Sequence, residues 1–188
     1  MLKTLRAPKR GQSTFSGNAV QTWNEFGKKW SDPGSGIGNW PLSHKETITD
    51  AAEFDAPASA VWALLTDWAA IVDWMPDGYV QSLRMEGQGP GAIRHLVTGK
   101  GVRLAERLDK ADETSGVLEL SLLDPLPWGL LSYRARGNLD SISDEKSRLT
   151  WQGTLEMPQP GPESDAVTGL LRKSYAKMFL GIRNVVES

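Results

Sequence analysis

The sequence predicts an α+β fold in which a curved antiparallel sheet wraps around one long C-terminal helix. Between residues 79 and 157, short stretches of alternating apolar and polar residues recur at regular spacing and are separated by turn-forming residues. This pattern is typical of successive antiparallel strands. After residue 162 the apolar residues recur with a period near 3.6, which indicates a helix with one apolar face. Such a helix must bury that face, and the concave side of the sheet is the sizeable apolar surface on offer.

The elements of this domain, predicted to span residues 44–188, follow one another with short connections. A β-biased stretch at 46–54 precedes a short helix at 59–68 and a helical turn at 69–74. The strands are predicted at 79–85, 92–98, 102–108, 117–123, 131–139 and 148–157. The last helix is predicted from 163 to 186, with an apolar face of Val167, Leu170, Leu171, Met178, Ile182 and Val185.

Residues 1–43 differ in composition from this domain. They are rich in Gly, Ser and Asn, yet they hold Trp23, Phe26, Trp30 and Trp40. Large aromatic residues are uncommon in segments that never bury them. We therefore expect an extension that is a lid over the domain or an interaction arm, for example in a homodimer. Its six Lys and Arg against two acidic residues are too few to choose among nucleic acid, anionic lipid and the acidic body of its own domain as a partner. A solvated or self-docking arm is the expectation.

The composition excludes several kinds of chemistry. The chain has no Cys and two His, so disulfides, a cysteine nucleophile and a multi-histidine metal centre are not expected. No motif for a cofactor is present. No apolar run approaches the roughly 20 residues that span a bilayer, and no signal peptide pattern begins the chain. A cytoplasmic protein without an integral membrane segment is the expectation.

Glu106 is the most informative polar residue. It shares the register of Leu104 and Leu108 on a predicted strand, which places it on the apolar inner face. A carboxylate there could serve as a general acid or base. The alternative is that Glu106 is held by a salt bridge or by a strand bulge at the rim of the sheet.

Other candidates follow from the same alternation of strand residues. Tyr133 and Trp151 fall on inward faces of their strands. Tyr133 would be a phenol that donates a hydrogen bond to a ligand carbonyl, and Trp151 would form part of the cavity wall. The alternative for both is plain aromatic core. On the strand at 92–98 the inward set is either Ala92/Arg94/Leu96 or Ile93/His95/Val97. The pattern leaves both open, so both Arg94 and His95 are catalytic candidates.

The chain carries the following motifs in this order: Ala56-Pro57, Val61-Trp62, Leu65-x-Asp67, Trp74-Met75-Pro76, Gly87-x-Gly89-x-Gly91 before Arg94, Glu106-Arg107-Leu108 with Asp112, Tyr133-Arg134-Ala135 and Trp151. Together they resemble the SRPBCC superfamily, which groups START-like, birch-allergen-like and polyketide cyclase/dehydrase proteins. The resemblance covers about residues 46–187. It implies a helix-grip fold with a deep cavity between the sheet and the C-terminal helix, and in aromatase/cyclase members a pocket that relies on arginine and aromatic side chains. Here Arg94, Tyr133 and Trp151 could fill those roles.

Together these features predict a protein that binds a small, largely apolar molecule, aromatic or polycyclic. As an enzyme it would catalyse cyclisation, dehydration or lyase chemistry without a cofactor or metal, with Glu106 as general acid/base and Tyr133 or Arg94 polarising a carbonyl. The alternatives are a non-catalytic carrier and a protein-interaction module that uses the aromatic arm. The predicted wall residues are Trp62, Trp74, Leu104, Trp151, Leu171 and Met178.

Overall fold

The computed structural model describes residues 43–188, so the predicted lid or interaction arm and the homodimer it would form lie outside the described residues. The described part is one sheet with three α-helices. The strands are β1 His44–Phe54, β2 Val80–Glu86, β3 Ile93–Thr98, β4 Arg103–Asp112, β5 Val117–Leu122, β6 Ser132–Ser143 and β7 Lys146–Met157. The helices are α1 Ala58–Thr66, α2 Ile71–Trp74 and α3 Pro162–Val186, with a 3₁₀ turn at Pro127–Gly129.

The sheet is antiparallel throughout and has the order β1-β7-β6-β5-β4-β3-β2. The strands from β2 to β7 form the predicted meander. β1 pairs along its whole length with β7, from His44 opposite Met157 to Phe54 opposite Ser147. α1 and α2 therefore carry the chain from one edge of the sheet to the other. This architecture confirms the α+β helix-grip prediction.

α3 buries one face against the sheet, and Val167, Leu171 and Ile182 lie on it as predicted. Val185 does not, because it is 44% exposed. Val186, four residues after Ile182, lies closer to the apolar stripe and packs against the core in its place.

The close approach of α3 to α2 depends on Gly181. A Cβ at this position would clash with the backbone carbonyl oxygen of Trp74. We expect Gly181→Ala to lower the free energy of unfolding by about 2 kcal/mol, since backbone cannot yield as a side-chain tip can. Gly169 of the same helix has no atom within 4 Å of its would-be Cβ, so Gly169→Ala is the matched control.

Urea denaturation of the two variants measures this difference. Gly169→Ala is expected to raise the free energy of unfolding by up to about 1 kcal/mol through helix propensity. Equal effects of the two substitutions would show that the contact between α3 and Trp74 is not tight.

Candidate functional site

A cavity lies between the concave face of the sheet, the segment from α1 to α2, and α3. Its volume is about 120 Å³, several times the roughly 10 to 15 Å³ that one water requires. Aliphatic side chains from β3, β4 and β5 form its floor. The aromatic residues of its wall are Trp68, Trp74, Tyr79, Trp128, Tyr133, Trp151 and Tyr175.

An ion pair is set into this apolar wall. Arg94 on β3 and Glu106 on β4 are directly opposite each other in the strand register. The Arg94 Nε–H donates to Glu106 Oε2 at 2.6 Å, and the two side chains are only 8% and 15% exposed. The salt bridge considered above for Glu106 is therefore present, and it faces the cavity.

Arg94 is held on a second side by Trp68. Its Cζ lies 3.6 Å from the centre of the Trp68 ring, and one terminal N–H donates to the Trp68 carbonyl oxygen at 3.4 Å. Stacking on an aromatic face suits the planar guanidinium. These contacts fix Arg94 while leaving other N–H donors of its fork uncommitted. In this arrangement Arg94 can donate a hydrogen bond to a carbonyl oxygen of a ligand, and Glu106 can accept a proton from the ligand.

Two phenols form a second polar point. The hydroxyls of Tyr133 and Tyr175 lie 2.7 Å apart, and a Cβ at Gly153 would collide with the Tyr175 hydroxyl. Glycine at 153 thus makes room for the pair. Burial is the main cause that raises the pKa of Tyr133 well above its ordinary value and the pKa of Tyr175 to about 12.

Both phenols are therefore neutral near pH 7 and serve as hydrogen-bond donors, not as bases. One of their two protons is used between them. The other can be donated to a ligand, so the donor role predicted for Tyr133 is shared with Tyr175.

Most of the residues predicted for the site meet in this cavity. Two do not, His95 and Trp62. The residues that line it as predicted are Arg94, Glu106, Tyr133, Trp74, Leu104, Trp151, Leu171 and Met178.

His95 points away from the cavity, which corrects its assignment as a catalytic candidate. The side chain is 35% exposed, and Nε2 lies 3.2 Å from Glu86 Oε1. The reason is the strand register, because Arg94 faces Glu106 on the inside and the next side chain must point outward. Trp62 is 8% exposed and belongs to the core next to the cavity, since α1 reaches the cavity wall with Leu65 instead.

Several wall residues were not predicted. Tyr175 lies four residues after Leu171, so the spacing of the helix face could have identified it. Trp68 and Tyr79 lie at the ends of predicted elements, where periodicity is least informative. Trp128 lies in the 3₁₀ turn with a φ of 58°, a left-handed conformation that no pattern in the sequence indicates.

Within residues 43–188, no cluster of three or more His, Asp or Glu side chains could hold a metal ion. No helix in this part of the chain is long and apolar enough to cross a membrane.

A family model described as polyketide cyclase/dehydrase and lipid transport matches residues 45–187. Comparison with curated proteins finds no match. Among solved structures, norcoclaurine synthase from Thalictrum flavum, in complex with dopamine and hydroxybenzaldehyde, is 19% identical with a TM-score of 0.66, covering 81% of this chain and 92% of that one. The Zhui aromatase/cyclase from Streptomyces sp. R1128 is 16% identical with a TM-score of 0.67, covering 77% and 94%. The structure of Ara h 8.0201 is 17% identical with a TM-score of 0.64, covering 76% and 98%.

At these identities the structural likeness concerns the fold, and function must be argued from the site. The family match is more direct, because residues 45–187 include every strand and the long helix that enclose the cavity. It also confirms the resemblance to the SRPBCC superfamily found in the sequence motifs. The chain belongs to the polyketide cyclase/dehydrase and lipid transport family.

Proposed function

We propose that this protein binds a small, largely apolar molecule that carries a carbonyl group, and that Glu106 exchanges a proton with it. The observation that supports this is the Arg94–Glu106 ion pair in the wall of an aromatic cavity. Burying two charges costs several kcal/mol each, and apolar residues of similar volume would serve stability as well or better. A pair kept in this place is best explained by a polar group on the ligand. The aromatic wall favours a ligand with one or more rings.

The chemistry follows from the two partners. The Arg94 guanidinium donates to the carbonyl oxygen, while a Glu106 oxygen removes a proton from the carbon next to the carbonyl. The electrons of that C–H bond move to form an enolate, which the guanidinium stabilises. The protonated Glu106 can then return its proton to carbon, or to a hydroxyl that leaves as water. Ring closure and dehydration both use these steps, and the phenol pair adds a further neutral donor.

Hydrogen–deuterium exchange at a model ketone tests the proton transfer. β-Tetralone is a bicyclic ketone with acidic protons next to its carbonyl, and nuclear magnetic resonance follows their exchange in deuterated buffer. We expect Glu106→Gln to slow the exchange catalysed by the protein by about 100-fold or more, as for loss of a general base. Binding of an uncharged naphthalene dye should change little, because glutamine nearly preserves shape.

Glu119→Gln is the matched control. Glu119 also pairs with an arginine at 2.6 Å, but on the exposed outer face of the sheet. This variant should therefore catalyse hydrogen–deuterium exchange at β-tetralone at the wild-type rate. Exchange at the wild-type rate in Glu106→Gln would remove Glu106 from the mechanism. Dye binding by a wild-type protein that does not accelerate exchange would favour the non-catalytic carrier. Native mass spectrometry of freshly purified protein would then give the mass of any bound molecule.

A further inference from the structure

A depression of about 360 Å³ adjoins the cavity. Its rim is formed by the turn before β2, the turn between β3 and β4, Trp128 and the middle of α3. It shares with the cavity wall the residues Tyr79, Thr98, Leu104, Trp128 and Ser174. The depression and the cavity therefore lie side by side along this shared wall.

Three lysines line this depression, and we call them the lysine mouth: Lys100, Lys173 and Lys177. Lys173 and Lys177 are four residues apart on one side of α3, and Lys100 faces them from the turn between β3 and β4. No Asp or Glu lines the depression. Within residues 43–188, no carboxylate forms an ion pair with any of the three.

A group of three lysines without carboxylate partners is unusual for a domain whose net charge is negative. Residues 43–188 hold 21 Asp and Glu against 15 Lys and Arg. Of the three other lysines in this part of the chain, two are paired, Lys110 with Asp112 at 3.1 Å and Lys146 with Glu53 at 2.8 Å. Like charges around one concavity repel each other and raise the positive potential there. An anion bound among them would relieve that repulsion.

Lys177 connects the lysine mouth to the cavity. Its Nζ lies 5.2 Å from the centre of the Tyr79 ring, and Tyr79 lines both the cavity and the depression. We propose that the ligand is amphipathic, with its apolar body in the cavity and a carboxylate, sulfonate or phosphate group held by the lysine mouth. This inference rests on the proposed function and adds the charge of the ligand to it.

A small anionic ligand is favoured over docking to an anionic lipid surface. Segments that lie on membranes combine basic residues with large apolar side chains that enter the bilayer. The exposed large apolar residues of the described chain are Val72, Leu131, Ile142, Leu180 and Val185. None of them lines the depression.

Two fluorescent dyes that differ by one charge test the proposal. Anilinonaphthalene sulfonate carries a sulfonate, and phenylnaphthylamine has the same ring system without it. In the variant Lys100→Gln/Lys173→Gln/Lys177→Gln we expect the affinity for the sulfonate dye to fall about tenfold, from three exposed charge contacts. The affinity for the neutral dye should stay the same. In the wild type, added salt should weaken the binding of the sulfonate dye and leave the binding of the neutral dye unchanged.

The variant Lys45→Gln/Lys110→Gln/Lys146→Gln is the control, because it removes the same net charge away from the mouth. The proposal would be overturned if the control lost as much affinity for the sulfonate dye as the mouth variant does. It would also be overturned if the mouth variant lost affinity for both dyes equally. Binding to phosphatidylglycerol vesicles that requires the three lysines while sulfonate binding does not would overturn it as well. If the wild-type protein bound only the sulfonate dye, the apolar cavity would be rejected as the ligand site, while the lysine mouth would be retained as an anion site. Circular dichroism checks that each variant is folded.

Discussion

Replacing Arg94 by leucine is expected to lower the free energy of unfolding by about 3 to 5 kcal/mol, as for other buried pairs that lose one partner. The substitution leaves the Glu106 carboxylate in an apolar wall without the donor that now lies 2.6 Å away. It also removes the stacking of the guanidinium on Trp68. Urea denaturation followed by circular dichroism measures the loss.

The double variant Arg94→Leu/Glu106→Leu separates the cost of an orphaned charge from the worth of the pair. With both charges gone the wall is continuously apolar, and its stability should return to within about 1 to 2 kcal/mol of the wild type, or exceed it. The same double variant should no longer catalyse hydrogen–deuterium exchange at β-tetralone. A stable fold without activity would show that the pair is present for function.

The pair of Arg136 and Glu119 provides the comparison on the outer face. Its N–O distance is also 2.6 Å, but the two side chains are 46% and 36% exposed. Solvent screens such a pair, so Arg136→Leu should cost less than about 1 kcal/mol. A cost for Arg94→Leu as small as this one would contradict the description of the Arg94–Glu106 pair as buried.

The parts of this structure that follow from local periodicity could be predicted from the sequence. Alternation along β4 and β6 correctly placed Glu106 and Tyr133 on the inner face, because one face of a sheet that covers a helix must be apolar. The same rule could not decide β3, since both of its registers contain apolar residues. The pairing of Arg94 with Glu106 decides it, and that is a contact between strands.

Other features depend on contacts that are distant in sequence. β1 pairs with β7 across more than 90 residues, and no residue of β1 specifies that partner. The link between Tyr133 and Tyr175 joins a strand to the helix, so the helix must be docked before the two hydroxyls meet. The wall at Trp128 likewise depends on a turn geometry and not on a periodic pattern. Sequence patterns therefore predicted the layers and part of the cavity wall, while the polar partners needed the assembled fold.

Stability is expected to fall steeply above pH 10, because the three tyrosines of the chain all line the cavity. Burial raises the pKa of Tyr79 and of Tyr133, and that of Tyr175 from 10.0 to about 12. In the unfolded chain the phenols ionise near pH 10, while the folded protein keeps them neutral. The unfolded state thus loses protons first as pH rises. For Tyr175 alone the shift corresponds to roughly 2 to 3 kcal/mol, lost between about pH 10 and pH 12.

Tyrosinate absorbance measured against pH observes this directly, since no tyrosine lies outside the cavity wall. We expect little tyrosinate at pH 10 and a cooperative rise where the protein unfolds. Lysines such as Lys146, whose pKa is raised by Glu53, also lose their charge in this range. The variant Tyr133→Phe/Tyr175→Phe isolates the phenols, because it removes both hydroxyls of the pair together, so that neither is left without the other. Its stability should decline less steeply above pH 10 than that of the wild type. Gradual ionisation of all three tyrosines near pH 10 in the folded protein would contradict the burial of this pair.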